Sequence, residues 1–411
     1  MIDHLFELSR QLVGRLDRPY RRYLMTPATF VGRGTLITGA RGVGKTTCLV
    51  QHLVERYPDY EASRRCLYLP ADHFVVAQMP LYDIAAEFAQ TGGDLLCLDE
   101  VHKAPYWSRD LKSILDTFPG LKVVASGSSM LQLRRGTHDL SRRVAVHRLA
   151  GLSFREFLAI RRGVVCPALD LETLLHHHER EAASISKRLG AARLEILAEF
   201  RDYLACGYYP FFMECGDQSV FHTVLEQSMH AALESDLPAL HPALTGHSVR
   251  RLKRLLAAVA ANVPLTPDLK KLRALSDVAD DRTLKEYLRN LEEAGLIMLV
   301  HRGGGALRSM EKPDRLYLGD PAQCYALAAG GRPEVGAVRE TFFCRMLSTS
   351  HRVQTAPHGD FKVDGRFVFE VGGKTKDFRQ VAGISSAWLA VDGVPAGSGR
   401  RVPLWMFGFL Y

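Results

Sequence analysis

The sequence predicts an α/β protein whose first part is a parallel sheet carrying a phosphate-binding loop, and three observations predict it. Gly39-Ala40-Arg41-Gly42-Val43-Gly44-Lys45-Thr46-Thr47 has the spacing GxxxxGK[ST] of a P-loop. Short apolar runs alternate with longer helical patterns from about residue 30 to residue 165, the order that a parallel sheet with crossover helices requires. One of those runs, Asp94-Leu95-Leu96-Cys97-Leu98-Asp99-Glu100, ends in two adjacent carboxylates.

Taken in order, the strands are expected at Leu36 to Gly39, Cys66 to Pro70, Leu95 to Asp99, Lys122 to Gly127 and Val144 to Leu149. The P-loop follows the first of them and opens a helix at Cys48-Leu49-Val50. Its glycines let successive N–H groups turn toward one anion, and the helix adds its positive N-terminus. Lys45 would reach the β- and γ-phosphates of a nucleoside triphosphate, and the Thr46 hydroxyl would sit on Mg²⁺. Asp99 would hold that Mg²⁺ through bound water and Glu100 would polarise the attacking water, because ligands bind open sheets at the C-terminal ends of their strands. The fourth strand ends in Ala125-Ser126-Gly127-Ser128-Ser129, where Ser128 is the chosen hydroxyl to contact the γ-phosphate or orient the water. Before the fifth strand, Arg142 and Arg143 follow Asp139-Leu140-Ser141, and Arg143 is a candidate arginine finger for a neighbouring subunit's nucleotide.

Composition narrows the remaining classes. The 411 residues exceed one small core and predict two to four domains. No apolar run approaches the roughly 18 to 20 residues of a membrane span. The N-terminus lacks a basic stretch followed by a hydrophobic one, which predicts a cytoplasmic protein with no membrane partner. The eight cysteines form no CxxC pair and read as reduced core residues. His176-His177-His178 lies in a polar helical stretch and reads as a solvated face, with no metal assigned. A net charge of +8 is modest for this length and leaves a nucleic-acid partner open.

Residues 1–165 are thus read as the P-loop core and 166–245, mostly helical, as a lid; Pro238, Pro242 and Gly246 mark the break to a third segment, 246–330. That segment reads as a winged helix: helices over 250–260 and 269–275, a third over 280–294 capped by Asp281 and closed by Gly295, a strand from Leu296, and a wing at His301-Arg302-Gly303-Gly304-Gly305. Arg282, Lys285 and Arg289 on the third helix, with Arg302 and Arg308 near the wing, are candidate contacts to double-stranded DNA, while Glu286, Glu292 and Glu293 leave protein docking equally open. In the last segment, 331–411, Asp364-Gly365 is a hairpin turn between two strands. Glu340, Asp360, Glu370 and Lys374, an acid on a helix, two acids on paired strands and a lysine, resemble the PD-(D/E)XK nuclease-like core. In active members such acids hold a divalent metal. Here Val371-Gly372-Gly373 separates Glu370 from Lys374, in place of the usual E-x-K spacing.

The tract from Ile37 to Thr47, Leu98 to Trp107, Ala125 to Met130, Arg143-Val144 with Leu152-Ser153-Phe154-Arg155-Glu156-Phe157, and Tyr203 to Pro210 together resemble the AAA+ superfamily ATPases of bacteria and archaea whose C-terminal half is a domain of unknown function. The family pattern has Gly-Arg where this chain has Arg142-Arg143, and Gly-Gly where it has Gly207-Tyr208. The resemblance implies a homo-oligomeric ATPase that binds ATP, ADP and Mg²⁺ and has a helical lid. Three readings follow: an ATPase coupling nucleotide state to rearrangement of its later domains, on DNA or with a protein partner; a nucleotide-gated switch with little turnover; and an ATP-governed metal-dependent nuclease.

Overall fold

The structure, a computed structural model, describes residues 2–127, 140, 142–241, 243–303, 312–328, 330 and 332–411. Ser128, Pro242, Gly304, Gly305 and Arg308 of the sequence reading lie outside the described residues. The chain divides into two compact units, Met1–Gly151 and Leu152–Tyr411.

The first unit begins with a helix, α1 (Ile2–Leu16), and then alternates β1 (Gly34–Thr38), α2 (Lys45–Arg56), β2 (Cys66–Pro70), α3 (Leu81–Gln90), β3 (Leu95–Asp99), α4 (Trp107–Thr117), β4 (Lys122–Gly127) and β5 (Val144–Arg148). The five strands form one parallel sheet in the order β2-β3-β4-β1-β5. Each expected strand is present, with its ends within two residues of those read from the sequence. β1 and β3 are buried along their whole length, which is why they read as unbroken apolar runs. β5 forms an edge, and its residues are mostly accessible. Ile2, Leu5 and Phe6 of α1 join Leu67, Leu96, Ile84 and Phe88 in the core, each such side chain contributing about 1.5–3 kcal/mol by its burial. Ser9 of α1 accepts the Tyr68 N–H at 2.9 Å and so ties the helix to β2.

The second unit opens with α5 (Phe154–Arg162), started by a capping box in which Ser153 and Glu156 each accept the other's backbone N–H. Long helices follow: α6 (Leu171–Ala191), α7 (Ile196–Asp202), which continues into a wider π turn at Tyr203–Gly207, and α8 (Gln218–Ala231). Phe154, Phe157, Phe200, Tyr203 and Phe342 pack ring against ring at centroid distances of 4.9–6.5 Å. The departure from a Gly-Gly pair at 207–208 is accommodated here, for Tyr208 has right-handed helical backbone and Gly207 carries the constraint. A Cβ on Gly207 would lie 2.4 Å from the Tyr203 ring and 2.8 Å from the Phe157 ring.

Three helices, α9 (Gly246–Ala260), α10 (Leu269–Ser276) and α11 (Asp281–Glu293), then precede an antiparallel ribbon of β6 (Ile297–Val300) and β7 (Arg315–Leu318), to which Leu265 adds an antiparallel bridge at Leu316. Leu284, Leu288 and Leu291 of α11 are buried as one stripe, as their spacing predicts. The cap of α11 is Asp280 rather than Asp281: its carboxylate accepts the Thr283 N–H at 2.9 Å, whereas Asp281 is already helical and pairs with Arg273.

After α12 (Pro321–Leu327) and α13 (Val335–Leu347), the strands β8 (Val353–Thr355), β9 (Phe361–Val363), β10 (Phe367–Gly372), β11 (Ala387–Val391) and β12 (Arg401–Pro403) form a mixed sheet in the order β12-β11-β10-β9-β8. β8, β9 and β10 run antiparallel, and β11 and β12 run parallel to β10. The β9–β10 turn holds Asp364 and Gly365 at φ 52° and 69°, the two positive angles expected of an Asp-Gly hairpin. The eight cysteines are all unpaired. Among the described residues no helix is long and apolar enough to cross a membrane. Gly207→Ala is expected to destabilise the chain by about 1–3 kcal/mol, because neither aromatic ring can withdraw from a packed cluster. A lowered midpoint in thermal or urea unfolding would check this, and an unchanged midpoint would show that the cluster yields.

Candidate nucleotide site

The loop between β1 and α2 depends on its glycines for geometric reasons. Gly42 and Gly44 have φ of 82° and 95°, the left-handed region, and Gly44 is the residue that starts α2. Gly39 has no room for a side chain, since its Cβ would stand 2.5 Å from the Leu149 carbonyl oxygen. Lys45 is only 4% exposed; its ammonium donates to the Ala40 carbonyl at 3.1 Å and lies 3.8 Å from Glu100 Oε1. Thr46 and Thr47 are partly exposed in the first turn of α2. Arg22, which the sequence reading did not single out, braces the loop from below. Its guanidinium donates to the carbonyls of Val43 at 2.5 Å, Ala150 at 2.7 Å and Gly151 at 2.9 Å. No local sequence signal marks an arginine that acts on backbone so distant in the chain.

Opposite the loop, Asp99 ends β3 with 3% exposure. Its carboxylate accepts from the Tyr68 hydroxyl at 2.9 Å, the Glu100 N–H at 3.1 Å and the Ser126 hydroxyl. Burial first, and the neighbouring Asp99 charge second, push the Tyr68 phenol far above its usual range, so it remains a donor. Glu100 takes left-handed backbone at φ 47°, unusual for a side-chain-bearing residue, and its N–H is shared with Ser126 Oγ at 3.1 Å. The Glu100 carboxylate is a quarter exposed and sits between Lys45 and His102 Nε2, the latter at 3.5 Å.

The hydroxyl that meets the acids is therefore Ser126, while Ser128 lies outside the described residues. Sheet register could have found it: Leu98 pairs with Ala125, so the next residues, Asp99 and Ser126, fall side by side. Arg143 does not join the site of its own chain. It stands before Val144, the partner of Gly34 at the opposite end of β1 from the P-loop, about 15 Å away at the usual rise per strand residue. There it makes a two-pronged ion pair with Asp116, at 2.6 and 2.9 Å, which holds that carboxyl below its usual range.

The site fits Mg²⁺ and a nucleoside triphosphate in its donor chemistry. Thr46 supplies a hydroxyl and Asp99 a carboxylate, both hard oxygen donors, and Gly42 and Gly44 take the left-handed backbone that an anion-binding loop uses.

The second acidic cluster behaves differently. Glu340 on α13 accepts from the Tyr317 hydroxyl at 2.8 Å and from Arg315 at 3.3 Å, and the same Arg315 nitrogen reaches Asp360 at 3.2 Å. Asp360 also accepts the Val371 N–H at 2.9 Å. Glu370, 1% exposed, is paired with Lys376 rather than Lys374. β10 ends at Gly372, and a turn closed by the Lys376 N–H on the Gly373 carbonyl swings Lys376 back across it. The stem of Lys376 fills the space of a side chain at 372, 2.7 Å from where its Cβ would be. Lys374 instead folds over Gly393 at a separate cavity. The three expected acids are thus gathered, but Arg315 bridges Glu340 and Asp360, and Lys376 pairs with Glu370. The cluster does not fit a divalent metal.

With this geometry in view, the comparisons with known proteins give the class. Residues 32–158 match a family described as an AAA domain, and residues 197–334 match a domain of unknown function. The chain carries an AAA-type P-loop ATPase domain. It is 28% identical over 206 residues to an uncharacterized protein of Methanocaldococcus jannaschii, a match spanning 47% of this chain and 42% of that protein's length. Among solved structures it is similar to the Walker-type ATPase of Pyrococcus abyssi, with TM-score 0.37 and 14% identity over 72% of this chain and 91% of that one. AMPPCP-bound DnaA from Aquifex aeolicus gives TM-score 0.25 and 13% identity over 71% of this chain and 88% of that one.

The acidic cluster predicts a pH dependence. Burial first, then the Asp360 charge, raise the Glu340 carboxyl to about 7, so the folded chain holds a proton that the unfolded chain releases near its ordinary 4.5. Stability from this group is therefore complete below pH 4.5 and is lost as pH rises through 7, by up to about 1.4 kcal/mol per unit. Urea unfolding midpoints between pH 5 and 8 should fall less steeply for Glu340→Gln than for the wild type. Parallel slopes would show that Glu340 ionises freely in the fold.

Proposed function

We propose that the chain binds ATP with Mg²⁺ at the P-loop, hydrolyses it, and uses the nucleotide state to rearrange its second unit. The observation that carries this reading is the Asp99–Ser126–Glu100 arrangement facing Lys45. Asp99 has its donors supplied by uncharged groups, so its negative charge is held in place and uncancelled. Glu100 is set by its own backbone and by Ser126 to present a partly exposed carboxylate beside the lysine. In the mechanism, the loop N–H groups and Lys45 bind the triphosphate, and the ammonium exchanges the Ala40 carbonyl for phosphate oxygen. Thr46 and Asp99 would hold Mg²⁺, which neutralises phosphate charge as it develops. Glu100 accepts a proton from, and so orients, the water that attacks the terminal phosphorus. Ser126 positions both acids.

In an oligomeric form of this reading, Arg143 would exchange its Asp116 ion pair for the nucleotide of a neighbouring copy. The three helices and ribbon of residues 246–318, with the Leu265–Leu316 bridge, support a winged helix, and the sheet of 353–403 with α13 across it supports a nuclease-like fold without the metal. On α11, Arg282 is exposed and Lys285 is partly so, two cations that could meet a DNA phosphate or an acidic protein surface.

Steady-state hydrolysis tests the reading. Glu100→Gln should lower kcat by about 100-fold or more while ATP binding persists; hydrolysis at the wild-type rate would overturn the assignment of the base. The same assay with double-stranded DNA across salt concentrations tests the partner. DNA acting through phosphate contacts must lose its effect steeply as salt rises, and a rate indifferent to DNA at low salt assigns α11 to protein docking.

A further inference from the structure

A cleft of about 530 Å³ opens at the surface of the second unit, between α7, α12, α13 and the segments that follow β10 and β11, with Arg201, Arg332 and Lys374 exposed around it. It takes no part in the P-loop chemistry. Its walls are partly apolar: Leu197 and Leu204 on one side, Val335 and Val338 on another, and the ring of Tyr325. Its polar lining is strongly one-signed. Arg201, Arg332, Arg339 and Lys374 all reach it, against the single carboxylate of Asp392.

Only one of these four cations is matched. Arg339 donates to Asp392 at 2.7 Å, and Asp392 is itself fixed by the Gly393 N–H at 2.7 Å and by its own N–H on the Gly372 carbonyl at 2.8 Å. Arg201, Arg332 and Lys374 form no ion pair among the described residues. Glycines on two sides make the space. A Cβ at Gly373 would come within 3.3 Å of the Arg339 guanidinium, and one at Gly393, whose φ is 76°, within 3.1 Å of the Lys374 stem. Arg201, Arg332 and Lys374 are exposed and solvated, and three cations with no ion-pair partner around one cleft leave a positive field there that favours an anion. The volume is that of a small-molecule site, and forked guanidinium groups suit phosphate oxygens.

We propose that this cavity binds a phosphorylated nucleotide carrying two or more phosphates, a second nucleotide site apart from the P-loop. The phosphates meet Arg201, Arg332 and Lys374, Arg339 is held ready by Asp392, and the base lies against the apolar wall and Tyr325.

Equilibrium binding of a fluorescent ADP analogue to the full-length Lys45→Ala protein tests it, because that substitution removes the P-loop ammonium. The expected result is one saturable site that survives Lys45→Ala and weakens at least about tenfold on adding Lys374→Gln or Arg332→Gln, as loss of one charged hydrogen bond implies. Inorganic pyrophosphate should compete more weakly than ADP. The variants should melt at the parent temperature without ligand, since they change exposed side chains and break no ion pair. No saturable binding to Lys45→Ala protein overturns the proposal, as does binding unchanged by either cavity substitution. A poly-glutamate peptide competing as well as ADP overturns the nucleotide assignment. Should the P-loop reading itself fail, wild type and Lys45→Ala would bind alike, and the cavity substitutions would still decide this site.

Discussion

A carboxylate buried to 3% must be surrounded by donors, and Asp99 draws them from three strands at once. Tyr68 comes from β2, the Glu100 N–H from the end of β3 itself, and Ser126 from β4. Each contact works only if its strand is in register, so the one buried charge rewards the alignment of half the sheet. The left-handed backbone at Glu100 belongs to the same constraint, since its N–H turns back to Asp99 and Ser126. A strain of about 1 kcal/mol is offset there by hydrogen bonds to a charged group, each worth about 1.5–3 kcal/mol. On the other side of the site, Arg22 and the left-handed glycines shape the loop that the acids face. The backbone strain at Glu100 and the alignment of the site across β2, β3 and β4 are thus tied to one buried carboxylate.

The chain contains a second buried acidic group, and the contrast between the two is chemical. Around Asp99 the donors are two hydroxyls and an amide, which orient the charge and leave it to be used. Around Glu340, Asp360 and Glu370 the partners include Arg315 and Lys376, full cations that offset part of the charge, beside the Tyr317 hydroxyl and the Val371 N–H. A buried pair of this kind is weak evidence for net stability, but breaking it leaves an uncompensated charge and is strongly destabilising. The same residue types that suggest metal chemistry in a sequence therefore describe two different things once their partners are known.

That difference explains what was legible in the sequence. The five strands of the first sheet, the Asp-Gly hairpin and the α11 stripe follow from local patterns, periodicity and turn chemistry, and they stand where those patterns put them. Asp280 in place of Asp281 as a cap is a shift of one residue between two acids that local pattern weighs equally. Ser126 was hidden among three serines because choosing between them needs the register of β4 against β3. Lys376 was hidden because its position depends on the Gly372-Gly373 turn folding the chain back, while counting along a strand leads to Lys374. Arg22 and Arg315 act across 21 or more residues of sequence on backbone or acids that no periodicity connects to them.

The ribbon and the C-terminal sheet are joined by more than Arg315. Tyr317 of β7 lies 5.5 Å ring to ring from Phe361 of β9, Phe343 of α13 packs 5.2 Å from the same ring, and the Thr355 N–H reaches the His301 carbonyl at 3.2 Å. Parting them would expose aromatic surface and strip the buried acids of a cation in the same motion. Both penalties oppose hinging between the ribbon and that sheet. The rearrangement proposed above for the second unit would then be more economically carried by the ribbon and sheet moving together than by one moving against the other. The cationic cavity lies within that same unit, lined by α13 and the ends of β10 and β11, beside the helices of residues 196–204. An anion bound there would add a bridge between the helical segment and the sheet, beside the Phe200–Phe342 and Tyr203–Phe342 ring contacts that already join that segment to α13.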